Sequence, residues 1–248
     1  MPNAGGVRVF YEGALDIGIL ESVRAAGLLP AGLIVQRRAK GDAEGDHRAV
    51  CEAAAFLAAG LHAIAMIDAN GHRPEERFGW ARRIIDDELS LAATSSSAVM
   101  DDVRPDVAIV RAPAHAGAVA IVLVGLREPT SLVGYAPSAF AMDDYVLRLA
   151  LDEAIYTALA RPDRGLVAHA KVLAVLAQTL ALLEAQSIPV RDAKRASLLL
   201  RAFADYHASQ AKFAEDLMGK CGDLAAAFLP LLDDLARARS LLLPTSTS

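Results

Sequence analysis

Long apolar runs, cysteine and aromatic residues are all scarce in this 248-residue chain, and each scarcity excludes something. The most apolar stretch, "AGAVAIVLVGL" from Ala116 to Leu126, is about half the roughly 20 residues a membrane helix needs, so it reads as a buried strand and no membrane span is expected. The two cysteines, Cys51 and Cys221, lie far apart in the chain and in no metal-ligand or redox spacing. They are expected to be free thiols in a reducing cytoplasm. The first ten residues, "MPNAGGVRVF", lack the basic and apolar regions of a signal peptide, which points to the same compartment. One tryptophan, Trp80, and few other aromatics leave no stacking array for single-stranded nucleic acid. A formal charge of −5 gives no global attraction for a polyanion, so nucleic-acid binding would need a local basic patch. There is no Gly-x-Ser-x-Gly elbow and no Walker-type phosphate loop.

What is present is ample material for a core. Hydrophobic residues make up 54% of the chain and charged ones 22%, which argues against disorder for its body. The alanine-rich chain also favours arginine over lysine, as a high-GC bacterial genome would encode. The first half alternates strands and helices. "VRVFYE" (Val7–Glu12), "AGLIVQ" (Ala31–Gln36) and "HAIAMID" (His62–Asp68) read as strands, and "VAIVRAP" and "AVAIVLVGL" as two more. Between them, Leu15–Leu29, His47–Gly60 and a stretch from Pro74 to Leu91 carry helical periodicity; Pro74 and two following glutamates suit a first turn. Such alternation implies an α/β fold with a mostly parallel, Rossmann-like sheet flanked by helices. From Asp143 the pattern turns helical and stays so, through "RDAKRASLLLRAFADYH" and "DLAAAFLPLLDDLARARSLLL". We therefore expect an α/β unit over 1–140, a helical region over 141–243 packed on or beside it, and a frayed tail over 244–248.

Chemistry concentrates where strands end. In an open parallel sheet, ligands sit beyond the carboxyl ends of the strands. The first strand delivers Glu12 there, with Asp16 about one helical turn on, and the third delivers Asp68, with Asn70 two residues later in "IDANG". If these strands are neighbours, Glu12 and Asp68 come within reach of one ion. Two or three oxygen ligands completed by water and substrate phosphate is how Mg²⁺ is normally held. Carboxylates gathered at a buried edge repel one another, and a cation is the natural compensation. Gly13 and Gly71 are expected to make the sharp turns after the two acids. Either acid alone reads equally well as the N-cap of the next helix; the pair together favours a metal or phosphate site.

These residues carry a resemblance. "VFYEGALDIGIL" and "AIAMIDANG" resemble the two signature strands of the Toprim (topoisomerase–primase) domain, and most closely those of small Toprim-like proteins related to the OLD-family nucleases. The likeness covers about residues 6–150. "RRAKGDAEGDHRAV" is similar to the family's Gly/Lys loop, and "FAMDDYVLRLALDEA" to the acidic helix start after its last strand. The resemblance implies Mg²⁺- or Mn²⁺-dependent phosphoryl transfer on nucleic acid, with Glu12 as metal ligand or general acid/base, Asp68 as metal ligand and Asp16 as the second acid. Asn70 departs from the pattern, since the family usually has an aspartate there. An amide carbonyl can coordinate a hard cation but brings no charge.

Other residues have two readings each. Arg37, Arg38 and Lys40 sit ahead of a helix N-terminus beside the proposed site and suit phosphate, or an ordinary solvated loop. Arg73, Arg77, Arg82 and Arg83 read as a surface helix face paired with Glu76, Asp86 and Asp87. The amphipathic "RDAKRASLLLRAF", with Arg191, Lys194, Arg195 and Arg201, reads as a charged face over a leucine core sooner than as a nucleic-acid contact. His62 is expected to pack inside its strand, His72 is the histidine placed to assist the site, and Asp143 is expected to cap its helix, with a site role for Asp144 as the rival reading. The rival to a nuclease is a non-catalytic module that binds a partner protein or nucleotide, or a second copy of itself, through the helical half.

Overall fold

A computed structural model of the chain describes residues 6–37, 45–90, 96–125, 141–159, 169–186 and 209–243. Arg38, Lys40, the predicted helix over 191–207 and the tail over 244–248 lie outside the described residues. The core is a six-stranded sheet of β1 (Val7–Phe10), β2 (Leu33–Val35), β3 (Ala63–Asp68), β4 (Ser97–Met100), β5 (Val107–Arg111) and β6 (Val119–Val124), in the order β2-β1-β3-β6-β5-β4. β2, β1, β3 and β6 pair in parallel, and β5 runs antiparallel to both its neighbours. The fold is therefore α/β with a mostly parallel sheet.

The antiparallel end is a difference from the expected alternation. No helix separates β4, β5 and β6, and strands joined without a crossover must reverse direction. β4 begins at the last serine of the polar "ATSSS" run and was not expected from the sequence. It is an edge strand with alternating exposure, too short and too polar to announce itself.

Helices cover both faces. α2 (Asp46–Ala58) and α3 (Pro74–Glu88) bury Val50, Leu57, Phe78 and Ile85 against Phe10, Ala65, Ile67 and Ile121. On the other face lie α1 (Ala14–Ala25), α4 (Met142–Leu151), α7 (Gln210–Met218) and α9 (Leu229–Leu242). They bury Ile19, Tyr145, Phe213 and Leu235 against Val9, Met66, Ile109 and Val122. So α4, α7 and α9 share one core with α1 and with strands from across the sheet. Between them come α5 (Glu153–Thr157), α6 (His169–Ala185) and α8 (Leu224–Ala227). No helix among the described residues is long and apolar enough to cross a membrane.

Local chemistry sets where several of these helices stop, often short of what periodicity predicts. α1 ends at Ala25, not Leu29, because Gly27 takes φ +72° and the amides of Gly27 and Leu28 turn back to the carbonyls of Arg24 and Val23, at 2.9 and 3.0 Å. The helical pattern that begins at Asp143 breaks at Asp152, whose carboxylate accepts from the amides of Ala154 and Ile155 and starts α5 afresh. Pro230 starts α9 and separates it from α8. α9 is tied to the loop after β4 by Arg237, which donates to both oxygens of Asp101 at 2.6 and 2.9 Å.

The topology places a crevice. The chain leaves β1 to build β2 on one side and then crosses to build β3 on the other, with α1 and α2 on opposite faces. The carboxyl ends of β1 and β3 therefore flank a topological switch point, the place where such sheets hold ligands.

Candidate active site

A cleft of about 420 Å³ opens at that switch point. Glu12 reaches it from the segment between β1 and α1, Asp16 from the first turn of α1, Asp68 from the end of β3, and Asp143 from the first turn of α4. Ser209 and Gln210, at the start of α7, form part of the wall. β1 and β3 are hydrogen-bonded neighbours, with Phe10 opposite Ala65, and this brings Glu12 and Asp68 to one place. Asn70 does not line the cleft. It lies in the turn after β3, at φ +52°, and its side-chain amide donates to Asp46 at 3.3 Å.

Two of these acids are held by backbone amides. Asp16 is the third residue of α1 and accepts from the Gly13 amide at 2.8 Å, closing the helix start. Gly13 itself is extended at φ −153°, a conformation open to any residue, so the expected glycine-dependent turn after Glu12 is corrected: the chain enters α1 through an extended N-cap. The turn after Asp68 does use left-handed backbone, at Asn70 and at Gly71 with φ +73°. Asp68 accepts from the Met142 amide at 3.1 Å, which joins β3 to α4. Asp143 is not the N-cap of α4, as the sequence suggested. Ala141 is, and Asp144 closes the turn by accepting from the Ala141 amide at 2.9 Å. That leaves Asp143 on the cleft side.

Proximity shows in the proton affinities. Burial pushes the Asp16 carboxyl from an ordinary 3.8 up to about 7, and the charges of Glu12 and Asp143 add to it against the opposing Gly13 amide. Asp68 is pushed well above its ordinary value by burial first, then by Asp16, Glu12 and Asp46. Asp46, the first residue of α2, is pushed up to about 6 by burial and by Glu12, while Arg77 pulls it back. Groups so perturbed in a cleft mark a candidate functional site.

Asp46 and Arg77 were missed by the sequence reading. Asp46 accepts from the Asp68 amide at 3.1 Å and from the guanidinium of Arg77. Arg77 is only 8% exposed and lies over the Trp80 ring, 4.4 Å from its centre. The expected surface face of α3 is thus right for Arg73 with Glu76 at 3.1 Å, and wrong for Arg77 and for Asp86, both of which are buried. A signal existed: Arg77 is four residues before Ala81 and so continues the buried stripe of Ala81, Ile84 and Ile85. Asp46 obeys the rule that exposed Glu12 and Asp68, being an acid at a helix start beyond a strand's carboxyl end.

The remaining candidates fall elsewhere. Arg37 pairs with Glu21 at 3.0 Å and lines a neighbouring groove of about 770 Å³ between α1 and α7, which shares Ala14, Ser209 and Ala211 with the cleft. His72 is exposed beside Glu76 at 3.6 Å. His62 precedes β3, and its Nδ1 accepts from the Ala118 amide at 3.1 Å.

The donor set suits a hard cation, since the side chains that Glu12, Asp16, Asp68 and Asp143 bring to the cleft all offer carboxyl oxygens. Among the described residues, no three His, Cys, Asp or Glu side chains already converge in metal-holding geometry. A cation would have to draw them together. No known protein family, curated protein or solved structure matches the chain.

Proposed function

We propose that the chain is a Toprim-like, Mg²⁺-dependent phosphoryl-transfer protein, a cytoplasmic nuclease related to the OLD family, with its chemistry in the acidic cleft. The observation that carries this reading is the meeting of Glu12, Asp16, Asp68 and Asp143, from three separate segments, in one cleft at the switch point. Buried carboxylates that raise one another's proton affinity are costly in the free protein, and a bound divalent cation relieves that cost. Mg²⁺ or Mn²⁺, when bound there, would stabilise charge on a phosphoryl oxygen and make water more acidic. Asp68 and Asp16 would hold it, each kept in place by the backbone amide it accepts from. Glu12, at the cleft and on the switch-point edge, would take the proton of the attacking nucleophile. The substrate class follows the resemblance: a phosphodiester of nucleic acid.

The test is cleavage of end-labelled single- and double-stranded DNA and RNA with Mg²⁺, Mn²⁺ or chelator. Metal-dependent cutting that is lost in Glu12→Gln, with the fold intact by circular dichroism, is the expected result. Full activity in both Glu12→Gln and Asp68→Asn would sink the proposal. A second reading, a non-catalytic module binding a protein, a nucleotide or its own copy through the helical half, is favoured by Asn70, which stands where the resembled family usually has an aspartate and bonds to Asp46 instead of lining the cleft.

A further inference from the structure

The acidic cleft is backed by a buried ion pair whose parts come from two other elements. Asp46 begins α2, Arg77 lies one turn into α3, and the loop from β3 to α3 runs between them. Asp46 uses both oxygens: Oδ1 accepts the Asp68 amide at 3.1 Å, and Oδ2 accepts from Arg77 and from the Asn70 side chain at 3.3 Å. The two partners are nearly out of water, with side chains 10% and 12% exposed. Arg77 is fixed further by Trp80, its guanidinium carbon 4.4 Å from the ring centre. Its Nε, buried, has no hydrogen-bond partner among the described residues, and the contacts described for the guanidinium are those with Asp46 and the ring.

The geometry points to Arg77 as a positioning residue for the cleft: through Asp46 it clamps the backbone at Asp68 and so fixes where the Asp68 carboxylate faces. This rests on the metal reading above. Asp68 is gripped at two points, its amide by Asp46 and its carboxylate by the Met142 amide. Remove Arg77 and Asp46 keeps a buried charge without its cation, beside Glu12, which already repels it. Asp46 is then no longer held in place by a cation, and its grip on the Asp68 amide weakens. Asn70, bonded to the same Asp46 oxygen, loosens with it. Partners that orient a metal ligand in this way typically contribute about 10–100-fold to metal affinity. The chain's departure from a second acid at Asn70 gains a reason here, since an amide at that place donates to Asp46, which an aspartate could not do.

The experiment measures Mn²⁺ affinity by calorimetry, and hydrogen exchange at the Asp68 amide in chelator, for wild type, Arg77→Met and Arg77→Lys. Arg77→Met keeps the length and apolar contacts of the stem; Arg77→Lys restores the charge. The expected result is affinity reduced at least about tenfold in Arg77→Met and partly restored in Arg77→Lys, with faster Asp68 amide exchange in Arg77→Met alone. A structural role only would lower melting temperature in Arg77→Met yet leave affinity and local exchange at wild-type values, and that outcome overturns the inference while sparing the metal reading. Wild type that binds no Mn²⁺ overturns the metal reading and this inference together. If Arg77→Met does not fold, Trp80→Leu, which removes the ring that steadies the guanidinium, is expected to weaken Mn²⁺ binding in the same direction, and unchanged binding there refutes the clamp.

Discussion

Neutralising one cleft acid should make the metal-free protein more stable, which inverts the usual effect of mutating a buried polar group. Asp16 is 6% exposed, and its carboxyl is displaced from 3.8 to about 7, chiefly by burial and then by Glu12 and Asp143. Each pH unit corresponds to about 1.4 kcal/mol, so roughly three units set a ceiling of about 4 kcal/mol on the cost of holding Asp16 ionised. Coupling to Asp68 spreads that cost over two groups, and about 1–3 kcal/mol is the working figure. Against it stands the favourable position of an anion in the first turn of α1, about 0.3–1 kcal/mol. An asparagine keeps an oxygen for the Gly13 amide, so Asp16→Asn should come out ahead at pH 8. The sign with pH follows from a folded value raised above the unfolded one. The contribution is complete below about pH 4 and is lost as pH rises through about 7. In chelator, wild type should therefore weaken between pH 5 and 8, and Asp16→Asn should weaken less over the same span; Asp46, at about 6, adds to both slopes. Urea unfolding followed by circular dichroism across that range is the assay. At pH 8 the substitution should raise the melting temperature by about 2–4 °C per kcal/mol. A variant less stable than wild type at pH 8, with an unchanged pH slope, would refute the reasoning.

Two further outcomes concern the scaffold. Leu235→Ala in α9 empties a fully buried site against the sheet and should cost about 2–5 kcal/mol, in one cooperative urea transition for the whole protein; a separate early transition confined to the helices would contradict a shared core. Gly117→Ala should destabilise the protein, because its new Cβ would sit 2.1 Å from the backbone oxygen of Leu61, which leads into β3. An unchanged melting temperature there would mean that the approach of these two segments is looser than described.

Much of the fold's site-bearing half was legible because it depends on short-range signals. β3 and β6 are apolar runs, and a run buried on both faces is hard to mistake, while β1 shows apolar residues alternating around Arg8. Glu12 and Asp68 could be placed by a rule about strand ends, and the pairing of β1 with β3 brought them together. The rest depends on contacts between distant segments. The antiparallel β4–β5–β6 end follows from an edge strand of four residues whose sequence, "SAVM", carries no strong preference. Arg77 looked like its neighbours Arg73 and Arg82 because sequence shows charge but not the buried Asp46 that receives it. The arrival of Asp143 and α7 at the cleft depends on how α4 and α7 pack on α1, and no local pattern encodes that. Helix ends were misjudged for a simpler reason, since periodicity continues past Gly27 and Asp152 while backbone and side-chain capping does not.

The most direct measurement is calorimetric titration of Mg²⁺ and Mn²⁺ into wild type and Asp68→Asn. Asp68 is the residue that the sheet edge, the Met142 amide and the surrounding acids all aim at the cleft. Binding by the wild type that disappears in Asp68→Asn is the result this account predicts. No binding by either protein, or equal binding by both, would contradict a cation site at the carboxyl edge of β1 and β3.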